Sequence, residues 1–87
     1  MNEYKDENRY FYSSSFPLAC FLFAKDVQMS SPKDVGNGKK EFVWIKTSQL
    51  EELVDLYQFG SKDDESLLIS VRVYEQSRRE LLDILNN

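Results

Sequence analysis

Eighty-seven residues with a formal net charge of −4 make one small domain with a single core. The acidic balance excludes the broad basic footprint of a general nucleic-acid binder, which must displace counterions from phosphates. The absence of histidine and the single cysteine, Cys20, exclude an internal disulfide and a zinc site.

Residues 1–8 are polar and mixed in charge, and read as a mobile arm ahead of one domain over 9–87. They lack the apolar stretch of a signal peptide, and Asn2 stands where N-myristoylation needs glycine. No apolar run approaches the roughly 20 residues of a membrane span. The expectation is a cytoplasmic protein with no membrane contact.

Residues 9–13 (Arg-Tyr-Phe-Tyr-Ser) predict a short aromatic strand. Ser14 or Ser15 can cap the next helix, and Pro17 suits its first turn, where a missing N–H is harmless. That helix, to about residue 25, is apolar almost all round and must be buried. Cys20 lies in its middle, where burial leaves a thiol inert. The serines at 13–15 have no histidine to activate them, so they are read as turn residues.

Two extended segments follow, at 27–31 and 39–46, with Pro32 at the end or edge of the first. Between them lies Asp34-Val35-Gly36-Asn37-Gly38, and Asn-Gly between strands signals a hairpin. Gly36-Asn37-Gly38-Lys39 superficially suggests a phosphate loop. It lacks the first glycine and the hydroxyl residue after lysine, and it joins strands instead of opening a helix. Phe42 and Trp44 fall on one face of the second strand, Val43 and Ile45 on the other, so that strand is expected to be central or covered on both sides.

Ser48-Gln49-Leu50-Glu51 reads as a capping box. Leu50, Leu53, Val54 and Tyr57 then form one buried helix face, and Gly60 is expected to end the helix in a left-handed conformation. Asp63 or Asp64 should cap a last helix over about 65–85, with Leu67, Val71, Tyr74, Leu81 and Leu85 as its stripe. Arg78 occupies a place where that spacing calls for an apolar residue, so it should find a carboxylate or a partner.

The order strand, helix, hairpin, helix, helix resembles a small domain family of unknown function found in bacteria, archaea and their phages. The resemblance rests on Ser14-Ser15, Leu18-Ala19, Phe42-Val43-Trp44, Leu50-Glu51-Glu52-Leu53, Tyr57, Gly60 and Arg78-Arg79-Glu80-Leu81-Leu82. It covers roughly residues 10–86. Where that family has glycine just after the first helix, this chain has Asp26. The resemblance implies a fold and carries over no activity, substrate or catalytic residue.

The expected fold is α+β: a small three-stranded sheet in the order β-α-β-β-α-α, the two later helices packed on it and the first helix completing the core. No cofactor or metal is expected, because Glu51 and Asp55, or the run Asp63-Asp64-Glu65, show no calcium-loop spacing. Without a plausible acid–base pair, enzyme activity is not expected. The expected function is protein binding by a small accessory protein of a phage or mobile element. One form of it is an inhibitor of a host or defence nuclease, of the anti-CRISPR type. The candidate partner-binding residues are Glu51, Glu52 and Asp55, an acidic face suited to a basic cleft, and Arg72, Arg78 and Arg79, since arginine is enriched at hot spots. Both groups also read as ordinary solvated, ion-paired faces. Two alternatives stand beside this. One is a single-stranded nucleic-acid module that stacks bases on Trp44, among Tyr10, Phe11, Tyr12 and Phe42, beside Lys39, Lys40 and Lys46. The other is a homodimer through the Leu67-to-Leu85 stripe with Arg78 paired across it.

Overall fold

The computed structural model describes residues 6, 8–30, 32–36, 38–61 and 63–86. The chain folds as β1 (Tyr10–Ser13), α1 (Phe16–Ala24), β2 (Lys33–Gly36), β3 (Lys39–Ile45), α2 (Ser48–Phe59), a 3-10 turn (Glu65–Leu67) and α3 (Val71–Asn86). The three strands form one antiparallel sheet in the order β1-β3-β2. The α+β class and the element order match the expectation.

β3 is the central strand, and among the three it alone buries successive residues. Phe42, Val43 and Trp44 are all buried. Phe42 and Trp44 join the main core, where Phe11 of β1 lies 5.7 Å from Trp44, centroid to centroid. Val43 lies on the opposite face beside Tyr12, its register partner. Ile45 is 62% exposed, so the second face is covered only near its middle.

α1 starts where the sequence allows. Ser15 is the cap, its Oγ accepting the Leu18 N–H at 3.2 Å, with Pro17 in the first turn. Leu18, Ala19, Cys20, Phe21 and Leu22 are buried in succession. A helix buried on every side cannot lie at the periphery. α1 accordingly packs against both α2 and α3 and forms the centre of the core, a correction to its expected role of completing a core made by the later helices. Burying each large side chain contributes on the order of 1.5–3 kcal/mol.

The end of α1 shows how a residue other than glycine serves there. Asp26 takes φ +63°. Its N–H donates to the Phe23 carbonyl and the Val27 N–H to the Leu22 carbonyl, the paired bonds that close a helix through a left-handed residue. Aspartate tolerates this conformation better than most residues but still carries a Cβ. Asp26→Gly should therefore stabilise the chain by up to about 1 kcal/mol, raising the thermal midpoint by a few degrees. A lowered midpoint would show that the aspartate side chain contributes more than its strain costs.

The hairpin is tighter than expected. Its first strand is Lys33–Gly36, not residues 27–31, where Met29 alone forms an isolated bridge to Trp44. Pro32 has no N–H to donate and interrupts the pairing. Gly36 and Gly38 take φ +98° and +73°, so the reversal that needs glycine sits at the very end of β2. The turn position Asn37, the strand end at Ser31 and most of the arm over 1–8 lie outside the described residues.

Three helix boundaries also shift. Thr47 caps α2, its Oγ1 accepting the Leu50 N–H at 3.1 Å. Ser48 is thus the first helical residue, and the box with Glu51 does not form. Gly60 is extended, at φ −71°, not left-handed. Glycine is favoured there for space, because a Cβ would meet the Leu56 carbonyl oxygen at 2.5 Å. Asp64 caps only a 3-10 turn, closed by i-to-i+3 bonds from Leu67 to Asp64 and from Leu68 to Glu65. The chain then runs extended through residues 68–70, and α3 begins at Val71, after Ser70, whose carbonyl accepts the Tyr74 N–H.

Candidate functional site

The break between the 3-10 turn and α3 shapes the surface there. In one continuous helix, Leu67 and Val71 would be stacked at i and i+4 on the buried stripe. With residues 68–70 extended, Leu67, Ile69 and Val71 instead line an open groove of about 440 Å³, together with Pro17 and Phe21 of α1, Tyr57 of α2 and Tyr74 of α3. Its floor includes the Phe21–Tyr57 ring contact, 5.2 Å between centroids. Val71 is 77% exposed and the neighbouring Leu68 64% exposed. Lys25 borders the same region, its Nζ donating to the Leu68 carbonyl and lying 5.9 Å from the Phe21 ring centroid.

Beneath the groove, Cys20 lies beside Tyr74. Burial pushes the Cys20 pKa up, against the smaller opposing effects of the neighbouring Tyr74 hydroxyl and of the Arg78 charge. Burial likewise raises Tyr74, reinforced by Cys20. A protonated thiol with no exposed surface is a poor nucleophile. Both raised acids give stability that is full below their ordinary values and declines as pH rises, because the unfolded chain then ionises first. Alkylation of Cys20 should be slow in the native protein and fast in denaturant, and unfolding free energy should fall above about pH 9. Native labelling at the denatured rate would contradict the burial of this thiol.

The six predicted partner-binding residues are all exposed, but they do not form one site. Glu51, Glu52 and Asp55 lie on α2 away from its buried Leu50 and Val54. The 100° step per residue puts Phe59, 81% exposed, on the same outward side as Glu52 and Asp55. Arg72 and Arg79 border a shallow depression of about 410 Å³ with Val71, Glu75 and Gln76. Val71 belongs to both hollows, so these two arginines adjoin the groove.

Arg78 is exposed and does not interrupt the buried stripe. Ser77 takes that place, 6% exposed, with its Oγ donating to the Val73 carbonyl at 2.8 Å. A serine that returns its hydroxyl to its own helix can sit in an apolar seam without an outside partner. The inward face of α3 is Tyr74, Ser77, Leu81 and Leu85, so these members of the stripe are occupied within the chain, while Val71 stays 77% exposed. Trp44 is 1% exposed and Phe42 is buried, so neither can stack on a base as the nucleic-acid alternative requires.

Sequence reasoning put Tyr57, Leu67, Val71 and Tyr74 on buried helix faces and Phe21 within the apolar first helix, but it read Pro17 only as a first-turn residue, left Ile69 off the stripe and did not find the groove itself. The available signal was Leu67-Leu68-Ile69-Ser70-Val71, in which two branched residues flank a serine that favours a cap over a helix interior. Among the described residues no group of three or more Cys, Asp or Glu is placed to hold a metal ion, and no helix is long and apolar enough to cross a membrane. Comparison with protein-family models, with curated proteins and with solved structures returned no match.

Proposed function

We propose that this chain is a non-enzymatic protein-binding module that receives an apolar segment of a partner in the groove between α1, α2 and α3. The observation that carries this reading is the concentration of exposed apolar surface at one place: the groove itself with Val71 and Leu68 on and beside its rim. A contiguous apolar patch on a small domain marks an interaction surface. The groove is open, and a small ligand seated in it would leave Leu68 uncovered, which favours a macromolecular partner. Tyrosines at 57 and 74 supply the rigid, amphipathic contact area that interfaces use. Inhibition of a host or defence nuclease is one activity such a module would support, with Glu51, Glu52 and Asp55 meeting a basic cleft beside the apolar contact.

The test is capture from a host lysate, split into nuclease-treated and untreated halves, using wild-type protein and Val71→Asp as baits. The expected result is one stoichiometric protein retained by wild type in both halves and lost with Val71→Asp. Equal retention by both baits, or recovery that vanishes with nuclease, would overturn the groove as the binding site.

A further inference from the structure

The apolar side chains buried on the helices belong to the cluster around Phe42 and Trp44, so one face of the sheet packs on the helices, while the second carries the buried Val43 among residues that are exposed or half-buried. Strand alternation and the register put Tyr10 and Tyr12 of β1, Lys33 of β2, and Lys39, Glu41, Val43 and Ile45 of β3 on this second face. The two tyrosine rings meet edge to face, 6.4 Å between centroids, and both are partly exposed. Lys33 Nζ lies 5.8 Å from the Tyr12 ring centroid. A further hollow of about 250 Å³ along β1 is lined by Tyr10, Phe11, Tyr12 and Lys46.

Charge is segregated along the same division. Residues 9–46, which build the sheet and α1, hold six basic and three acidic residues. Residues 47–87 hold four basic and nine acidic ones. The net −4 therefore conceals a basic sheet half and an acidic helical half, and the basic half carries the half-buried Tyr10 and Tyr12.

We propose that this second face of the sheet, with Tyr10 and Tyr12 beside Lys33 and with Lys39 farther along β3, binds single-stranded nucleic acid. Paired aromatic rings offer stacking surfaces that any base can use, and adjacent lysines neutralise the phosphates that connect them. This surface uses neither Trp44 nor the helical groove, so it stands or falls apart from the protein-binding reading.

The experiment is fluorescence anisotropy of a labelled oligothymidine of about twelve nucleotides, titrated with the full chain at several salt concentrations. Binding should weaken with salt, with a logarithmic slope near −1.4 for two phosphate contacts, at about −0.7 each. Tyr10→Leu should weaken it about tenfold, within the range seen for loss of one stacking ring, and Lys33→Glu with Lys39→Glu, both at exposed positions, should abolish it. Unchanged circular dichroism would show that each variant is folded. No anisotropy change at 50 mM salt would overturn the proposal. So would equal competition by polyglutamate with no loss in Tyr10→Leu, which would reassign the face to an acidic protein.

Discussion

Trp44→Ala is expected to destabilise the chain by about 3–5 kcal/mol, the range for removing a large aromatic from a packed core. Trp44 is 1% exposed, lies 5.7 Å from the Phe11 ring and 6.2 Å from the Phe42 ring, and sits on the central strand, bridged by Met29 on one side and paired with β1 on the other. The cavity would therefore open where sheet and helices meet. A domain of this length has a total stability of roughly 4–13 kcal/mol, at about 0.05–0.15 kcal/mol per residue. The variant should lose about a quarter or more of that and unfold at a much lower urea concentration. The neighbouring Ile45→Ala, at 62% exposure, provides the contrast: surface changes stay within about 0.5 kcal/mol. Equal unfolding midpoints for the two variants would mean that Trp44 is a surface residue, which would return it to the list of candidate stacking rings.

That contrast marks what local sequence pattern can and cannot convey. Phe42-Val43-Trp44 was legible as a central strand because three successive apolar residues have no single-face reading in a sheet. α1 was legible because no side of it is polar. The hairpin partner was misplaced because 27–31 and 33–36 are both compatible with an extended chain, and only the positive φ of Gly36 and Gly38 decides which pairs. The last helix was drawn too long because its apolar spacing continues smoothly through Leu67 and Val71. The cost of keeping Ser66 to Ser70 helical is a sum of small propensity terms, invisible to a periodicity argument. Arg78 was misread for the same reason. The stripe runs through Ser77, and a polar residue that satisfies itself within the helix cannot be told from a solvated one by spacing alone. The groove follows directly from the second of these errors, because a surface made by a break in a helix is absent from any reading that lacks the break.

Val71→Asp is expected to lower affinity for the groove's protein partner by about 30-fold or more while leaving the unfolding midpoint nearly unchanged. A hot-spot loss is about 2 kcal/mol or greater, and each 1.4 kcal/mol is tenfold. Val71 is suited to this test because it lines the groove yet is 77% exposed in the free chain. It contributes little to folding, whereas Tyr57 packs on Phe21 and Tyr74 packs against the core, so changing either would confound binding with stability. A carboxylate there must be desolvated when a partner's apolar segment enters, and Arg72, one residue away, is too exposed to compensate it fully. Salt supplies the discriminating axis. Binding driven by apolar burial should persist at 0.5 M salt, where the Debye length is only a few ångströms. Binding driven by Glu51, Glu52 and Asp55 should collapse there and on charge reversal of those three residues. Affinity that ignores Val71→Asp but follows salt and the α2 carboxylates would transfer the interface from the groove to the acidic outer face of α2, where Phe59 would be the apolar anchor.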